Sequence, residues 1–394
     1  MGNAIEMTSA MSFSLYIHIP YCQSKCPYCD FNSYAKSAWP EADYVGAVIA
    51  EMNYRATAAP WTCQSIKTIF FGGGTPSLFA ARSIGLLIEA ADRLFGIEPD
   101  AEVTLEANPG TVNGSKLIDF KACGVNRLSF GAQSFDAAIL KFLGRIHNAA
   151  DTRTAAKLAH RAGFERLNLD LIFAVPGQRI DHVRRDIDEA TDLAPDHISA
   201  YNLTFEEGTA FFTEMKRGRI RPLATDDQAE MYDLVRSELP QRGYPMYEIS
   251  NYARPGREAR HNLSYWRAKS YLGVGAGAHS CAVDNSVCSA RRWWNQRLPS
   301  QYIRGANAGG IAEAGSEMID KPSLEGEFVF LNLRLRTGFE LAEFERRFRE
   351  SFDARFGRIT VPLIEGGLLA QERGRIFLTD RGLEIADSVF AEFL

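Results

Sequence analysis

The chain has 394 residues, a formal net charge of −5, 46% hydrophobic residues and 24% charged residues. This length accommodates one large domain and a smaller one, and the composition is that of an ordinary globular protein. The small negative charge gives no general attraction to nucleic acid or to an anionic membrane, so we expect no nucleic-acid partner, and peripheral membrane contact stays open.

The N-terminus and the cysteines indicate the compartment. No basic stretch precedes a hydrophobic run at the N-terminus, and no run of 18 apolar residues occurs. The seven cysteines are an odd number, and four of them are scattered (Cys63, Cys123, Cys281 and Cys288). This pattern favours a reducing compartment over a disulfide scaffold. We therefore expect a cytoplasmic protein.

Strand-like and helix-like segments alternate from about residue 14 to about residue 205. The predicted strands are short, rich in β-branched or aromatic residues and bounded by Gly, Pro, Asn or Asp: Leu15–Ile19, Thr68–Phe71, Val103–Glu106, Arg127–Phe130, Leu167–Phe173 and His197–Asn202. The predicted helices are amphipathic: Tyr44–Arg55, Ala81–Phe95, Ser115–Ala122, Thr152–Ala162 and Val183–Leu193. Six such units predict an α/β fold, a partial (β/α)6 TIM-like barrel with its chemistry at the carboxyl ends of the strands.

The alternation ends after residue 205. We predict a helix over Thr225–Glu238 that is ended by Pro240, irregular structure with short strands over 244–295, and a linker over Gly305–Gly315. The remaining segments predict a smaller α+β, winged-helix-like C-terminal domain, with helices at Glu325–Leu333, Leu341–Phe348 and Arg381–Phe393 and two strands at 366–369 and 375–378. The expected domains are 1–220, the barrel; 221–310, an irregular connection; and 311–394, the winged-helix-like domain.

Three cysteines follow the first predicted strand within eight residues: Cys22, Cys26 and Cys29. Thiolates select copper(I), zinc or iron–sulfur clusters. A structural zinc site requires a fourth ligand, whereas a four-iron cluster on three cysteines leaves one iron open to a small molecule. The alternatives are an incomplete zinc site and inert buried cysteines, but the spacing favours a [4Fe–4S] cluster.

Chemically distinctive residues also follow the later strands. The glycine-rich run Gly72–Pro76 follows the second strand, Glu106 ends the third, Gln133 ends the fourth and Asp170 lies within the fifth. Glycine allows backbone to approach a ligand closely, and a carboxylate in an apolar strand requires a partner or a ligand. Each of these residues can equally have a structural role, in a turn or a salt bridge. Arg145 can pair with one of the carboxylates or bind an anionic ligand.

The hexamer His261–Trp266 reads H-N-L-S-Y-W. A neutral imidazole can ligate haem iron, and His261 and Tyr265 share one face if the segment is helical. The alternative is a hydrogen-bonded histidine beside core aromatics.

Together these motifs resemble a known family. The spacing of the triplet resembles that of the radical S-adenosylmethionine (SAM) superfamily, and the run Leu15–Cys22, the glycine run and the strand-end residues resemble the oxygen-independent coproporphyrinogen III oxidases, over the barrel and the C-terminal domain. The resemblance implies a radical SAM barrel with a [4Fe–4S] cluster on the triplet and SAM on the open iron. The residues implied to contact or line the SAM site are Tyr16, Tyr28, Gly73, Gly74, Thr75, Glu106, Gln133, Arg145 and Asp170.

One position departs from the oxidases. They carry a further cysteine two residues after the third, where this chain has Phe31, and a longer N-terminal stretch. With Phe31 at this position and with the His261 hexamer, the chain resembles instead the haem chaperones of the same family. That resemblance implies haem as a third bound group, with His261 as its candidate ligand, and transfer of haem to acceptor haemoproteins, with respiratory enzymes as candidates.

An electron donor to the cluster is implied too, with cluster and SAM serving regulation or conformational switching. Whether the protein is an enzyme stays open. The alternative function is oxidative decarboxylation of coproporphyrinogen III to protoporphyrinogen IX, which the missing cysteine argues against.

Overall fold

The structure, a computed structural model, describes residues 12–394. Its centre is a parallel sheet whose strands alternate with helices along the chain. The elements of this first part are β1 (Ser12–Ile19), β2 (Tyr21–Cys22), β3 (Tyr34–Ala35), α1 (Glu41–Ala56), β4 (Ser65–Gly73), α2 (Ala81–Phe95), β5 (Ile97–Ala107), α3 (Gly114–Ala122), β6 (Arg127–Gln133), α4 (Ala137–Phe142), α5 (Ala149–Arg161), β7 (Arg166–Phe173), α6 (Ile180–Asp192) and β8 (His197–Asn202). The six predicted strands are confirmed as β1, β4, β5, β6, β7 and β8, and the five predicted helices as α1, α2, α3, α5 and α6.

Side-chain alternation in β1 separates the core from the site. Phe13, Leu15 and Ile17 are buried in the main core, where they pack with apolar residues of α1 and α2. Tyr16 and His18 occupy the alternate positions and therefore lie on the opposite face of the strand, which lines a cavity. The remaining strands of the parallel set follow in the order β4-β5-β6-β7-β8, so their carboxyl ends meet at one edge.

After β8 the chain extends the same sheet at both edges. The elements are α7 (Ala210–Lys216), α8 (Thr225–Gln241), β9 (Met246–Glu248), β10 (Asn251–Ala253), α9 (Arg260–Trp266), β11 (Tyr271–Val274), β12 (His279–Asp284), β13 (Ser289–Asn295), α10 (Pro299–Asn307) and β14 (Glu313–Ile319). Strand β11 pairs in parallel with β1 and continues antiparallel into β12, β13 and β14, while β10 and β9 follow β8. Within residues 12–394 the sheet has twelve strands, so most of the region predicted to be irregular is sheet.

Two expectations in this region are wrong. Gly305–Gly315 is not a linker, because it spans the end of α10 and the start of β14; a Cβ on Gly315 would lie 2.6 Å from the Trp294 ring, so close packing explains glycine there. Pro240 does not end α8, which continues to its next residue. The proline lacks an N–H, but the backbone ladder resumes with a bond from Arg242 N–H to the carbonyl of Glu238.

The C-terminal part forms its own small core. Its elements are α11 (Lys321–Leu333), β15 (Phe339–Glu340), α12 (Leu341–Phe348), α13 (Phe352–Glu365), β16 (Leu369–Glu372), β17 (Arg375–Leu378), α14 (Asp380–Glu384) and α15 (Ala386–Ala391). Helices pack around phenylalanines beside the three-stranded sheet β15-β17-β16, as expected for a winged-helix-like module. The predicted last helix is divided at Ile385, and α13 was not predicted. The domain limits near residues 220 and 310 stay a prediction.

In the part of the chain that the structure describes, no helix combines the length and the apolar character needed to cross a bilayer.

Candidate functional site

A short loop carries the three cysteines and is fixed at its base. Strands β2 and β3 pair in parallel and close the loop, with Cys22 at the end of β2. The backbone N–H of Lys36 donates to the carbonyl of Cys22 (2.9 Å), and the N–H of Cys29 donates to the carbonyl of Cys26 (3.1 Å). The backbone thus holds all three side chains on one small loop.

Each cysteine sulfur has a polar side chain beside it. Thr75 Oγ1 lies 3.5 Å from Cys22 Sγ, Arg145 Nη1 lies 3.3 Å from Cys26 Sγ, and Ser33 Oγ lies 3.9 Å from Cys29 Sγ. Burial raises the pKa of the Cys22 thiol, and the hydroxyl of Thr75 partly opposes this. Since metal ligation requires the thiolate, donors aimed at sulfur favour the ligating form.

The three thiols of the loop are the ligand type that iron–sulfur clusters use. None of the seven cysteines, all in the described part of the chain, is in a disulfide. Among residues 12–394, no three His, Cys, Asp or Glu side chains lie close enough together to hold one metal ion. A cluster places a different iron at each cysteine, so its ligands need not converge on one point.

A cavity of about 150 Å³ collects the sequence-predicted residues. It lies between the cysteine loop and the carboxyl ends of the strands. The predicted site residues that line it are Cys22, Cys26, Cys29, Tyr28, Gly73, Gly74, Thr75, Glu106, Gln133, Arg145 and Asp170. The structure therefore brings together every predicted residue except Tyr16 and His261.

The two glycines allow the backbone of β4 to form one wall. Gly73 has a φ of +110°, and a Cβ there would lie 2.3 Å from the ring of His18. A Cβ on Gly74 would lie 2.6 Å from the carbonyl oxygen of Tyr21. Neither position has room for a side chain, so the cavity is bounded by exposed backbone groups.

Two partly buried carboxylates line the cavity. Glu106 accepts a hydrogen bond from the N–H of Gly73 (3.1 Å), and burial, together with the nearby Asp170, raises its pKa to about 8. Burial also raises the pKa of Asp170, although Asn168 Nδ2 (2.7 Å) and Ser129 Oγ (3.3 Å) donate to it. Among the described residues neither carboxylate forms a salt bridge. Two such groups at one cavity favour a cationic ligand.

Arg145 brings a positive charge to the same cavity. Its Nη2 donates to the carbonyl of Gly131 (2.9 Å), while its Nε is buried without a partner among the described residues, as is Oδ1 of Asn108. Gln133, at the end of β6, has a φ of +66°, which is uncommon outside glycine and often marks a functional position. Unpaired polar atoms at a cavity wall are available to a ligand.

Sequence reasoning missed Asn108 and Ser129, which also line the cavity. Both lie close to predicted site residues at strand ends, two residues after Glu106 and four before Gln133. Their own residue types carry no chemical signal, and their place in those motifs is what could have indicated them.

Tyr16 lies outside this cavity. Its hydroxyl is 2.9 Å from His18 Nδ1, and His18 Nε2 is 2.8 Å from the carbonyl oxygen of Asn32. Burial lowers the pKa of His18 to about 4, so the ring is neutral. Tyr16 and His18 instead line a second cavity, of about 1,100 Å³, which shares Phe31 with the first.

His261 occupies a structural position. The ring is buried, with Nδ1 2.8 Å from Thr68 Oγ1 and Nε2 2.9 Å from Tyr265 Oη. The N-terminus of α9 is fixed by the carboxylate of Glu102, which accepts from the N–H groups of Arg260 and His261 (3.1 Å each). With both ring nitrogens engaged, the geometry argues against His261 as an iron ligand and favours the hydrogen-bonded alternative.

Comparisons with known proteins identify the family of the chain. Residues 16–190 match the model of the Radical SAM superfamily, and residues 325–385 match that of the HemN C-terminal domain. The chain is 35% identical to heme chaperone HemW of Bacillus subtilis (strain 168), covering 97% of this chain and 99% of that protein. It is 42% identical to heme chaperone HemW of Escherichia coli (strain K12), covering 86% of each.

A solved structure supports the fold. Coproporphyrinogen III oxidase (HemN) from Escherichia coli, described as a radical SAM enzyme, superposes with a TM-score of 0.83 over 97% of this chain and 90% of that chain. The two sequences are 22% identical, so this likeness bears on architecture alone.

Proposed function

The chain belongs to the HemW family of radical SAM proteins, and from this membership we propose that it is a haem chaperone. It holds a [4Fe–4S] cluster on Cys22, Cys26 and Cys29, binds SAM in the smaller cavity, binds haem, and transfers the haem to acceptor haemoproteins. The cluster and SAM regulate binding or release of haem.

The observation that carries the proposal is Phe31. The oxidases that the sequence resembles have a cysteine at this position, whereas here an aromatic ring, 59% exposed, borders both cavities. A phenylalanine offers no thiol for redox or acid–base chemistry, but it offers apolar surface to a porphyrin. The larger cavity, at about 1,100 Å³, has room for a ligand of that size.

The residues of the smaller cavity suit SAM. SAM has an amino group that can donate hydrogen bonds and a sulfonium, which suit the carboxylates Glu106 and Asp170, and a carboxylate, which suits Arg145. The backbone of Gly73 and Gly74 allows close approach of the ligand. A bound cluster with one open iron supplies electrons to SAM and a binding site for its amino-acid end.

A cytoplasmic setting and two kinds of protein partner complete the proposal. All seven cysteines are free, which fits a reducing compartment. Reduction of a cluster requires an electron donor, and delivery of haem requires an acceptor, for which respiratory enzymes are candidates.

The second candidate function is oxidative decarboxylation of coproporphyrinogen III. It is favoured by the predicted SAM-site residues around the smaller cavity, all but Tyr16, which radical chemistry would also need. An anaerobic assay of the reconstituted protein with coproporphyrinogen III and SAM separates the two. We expect no protoporphyrinogen IX at catalytic rates, and multiple turnovers would overturn the chaperone assignment.

The positive test is haem transfer. Protein loaded with ferric haem and passed through gel filtration should keep a Soret band, and mixing with an apo-haemoprotein should move that band to the acceptor. A control variant with all three cluster cysteines changed to serine separates the contribution of the cluster from that of the haem site. Failure of the wild-type protein to retain haem would refute the proposal.

A further inference from the structure

The larger cavity is a slot between the edge of the main sheet and the C-terminal module. One wall is a face of β11, β12 and β13, and the other is formed by Leu324, Glu327 and Leu331 of α11. One end reaches the cysteine loop at Phe31. A slot between a sheet and a helix suits a flat ligand with one polar edge.

The sheet wall carries an imidazole at the start of β12. In β12, alternation directs His279, Cys281 and Val283 to the same face, and all three line the slot. Trp294 stands opposite His279 in the ladder, and the two rings stack with centroids 5.9 Å apart. The indole therefore steadies the imidazole from one side.

His279 differs from the other histidines near the slot. Among the described residues nothing hydrogen-bonds its ring, and its side chain is exposed. His18, which also lines the slot, has both nitrogens engaged, by Tyr16 and by Asn32. A ring nitrogen with a free lone pair is what an iron atom needs.

We propose that the slot between β12 and α11 is the haem site and that His279 is the axial ligand of the haem iron. The inference rests on the proposed function, because it specifies where the cargo binds. The hexamer His261–Trp266 then supports the site without touching iron: Tyr265 lines the slot and packs edge-on against Tyr271, with ring centroids 4.7 Å apart.

The charges at the rim suit the haem propionates. Arg292 is already paired with Glu317 (3.2 Å) and Glu327 (2.8 Å), and Asp30 is a third acidic residue that lines the slot. Arg297 and Lys269 also line the slot, are exposed, and have no salt bridge among the described residues. These two cations are therefore the ones available to propionates.

Cys281 is the competing donor. It lies two residues further along the same face of β12 and lines the slot, but it is buried and sits beside Arg292 in the ladder. Thiolate and imidazole ligation of ferric haem give different optical and magnetic spectra, so the two assignments can be told apart directly.

The experiment titrates full-length, cluster-reconstituted protein with ferric haem and records the Soret region and the electron paramagnetic resonance spectrum. The variants are His279→Ala, Cys281→Ala and His261→Ala, with His160→Ala, an exposed histidine on α5 that lines neither cavity, as the matched control. We expect His279→Ala alone to change the ligand signature and to raise the Kd about tenfold or more. Added imidazole should restore the wild-type spectrum of that variant, which a folding defect would not allow.

Three outcomes would overturn the inference, and they differ in their consequence for the proposed function. If His279→Ala keeps the wild-type spectrum and affinity, or if Cys281→Ala alone loses the signature, His279 is not the ligand and the chaperone function stands. If the wild-type protein binds no haem, the inference and the proposed function fall together. Iron and sulfide content, measured on every sample, verifies that the cluster site is intact.

Discussion

The guanidinium of Arg145 lies 3.3 Å from the sulfur of Cys26, although 119 positions separate the two residues in the chain. The same guanidinium is anchored to the carbonyl of Gly131. The fold thus directs a permanent positive charge at one ligand of the proposed cluster.

We expect Arg145→Leu to keep the cluster and to lower its midpoint potential. The three cysteines remain, so iron and sulfide content should be near that of the wild type. Loss of a charged donor to sulfur should lower the midpoint potential, because hydrogen bonds to the sulfurs set the potential of such clusters. A redox titration followed by electron paramagnetic resonance measures this. Arg153→Leu is the control, because it removes a surface arginine paired with Glu189 and should leave the potential unchanged. Equal midpoint potentials in the wild type and both variants would contradict an effect of Arg145 on the cluster.

Binding of SAM should depend on the ionisation of Glu106. Its pKa of about 8 in the ligand-free protein means that most of this carboxyl is protonated at pH 7. A cationic ligand requires the ionised form, so binding releases a proton, and affinity should increase from pH 6 to about pH 8 and then level off.

Equilibrium dialysis of labelled SAM against reconstituted protein, between pH 6 and pH 9, measures the dependence. Glu106→Gln should bind more weakly and with a shallower slope, and the slope that remains belongs to the amino group of SAM itself. Glu165→Gln, at an exposed carboxyl, should behave as the wild type. If the affinity for SAM changes with pH identically in the wild type and in Glu106→Gln, Glu106 is not the group whose ionisation controls binding.

The sequence predicts the site better than it predicts the sheet. Cys22, Gly73 and Glu106 could be assigned because residue type and position after a strand both carry chemical meaning, and the structure brings them to one cavity. The strands β11 to β14 could not be placed, because pairing of β11 with β1 joins segments more than 250 residues apart. No local sequence pattern identifies such a distant strand partner. The small residues of Gly305–Gly315 predict a flexible linker, whereas in the structure they allow close packing.

The apolar ring of Phe31 should contribute to haem affinity. If haem contacts this side chain, Phe31→Ala removes apolar surface whose burial stabilises the complex by roughly 1.5–3 kcal/mol. The Kd for haem should then rise by about 10- to 100-fold. Iron content should not change, because the cysteines are untouched. Ile118→Ala is the matched control, since Ile118 is 57% exposed and lines neither cavity. A Soret titration that gives the same Kd for Phe31→Ala and wild type would exclude contact with haem.

Substitution of His261 should affect stability rather than iron ligation. Removing the ring takes one of two hydrogen-bond partners from Thr68 Oγ1, which still donates to Ser14 Oγ, and takes the partner of Tyr265 Oη. It also opens a cavity in a buried position. We expect His261→Ala to lower the thermal midpoint and the free energy of unfolding by about 2–5 kcal/mol. Tyr265→Phe, which removes one hydroxyl, should have the smaller effect, about 1–2 kcal/mol. Unchanged stability of His261→Ala with loss of the haem ligand signature would restore the histidine as a ligand.

Gly73→Ala should disable the smaller cavity for steric reasons. The position has a φ of +110°, and the added Cβ would lie 2.3 Å from the ring of His18, which is itself held by Tyr16 and Asn32. Either the ring or the β4 backbone must move. Movement of the backbone displaces the N–H of Gly73, which donates a hydrogen bond to Glu106. We expect SAM binding to be lost and cluster content to fall.

Gly96→Ala is the control for this substitution, because Gly96 also has positive φ (+76°) but a Cβ there would meet nothing within 4 Å. That variant should show only the backbone cost, about 1–3 kcal/mol of stability, with SAM binding intact. Dialysis with labelled SAM and a thermal melt on both variants separate the two effects. If Gly73→Ala binds SAM as well as Gly96→Ala does, the backbone of β4 is not a wall of the SAM site.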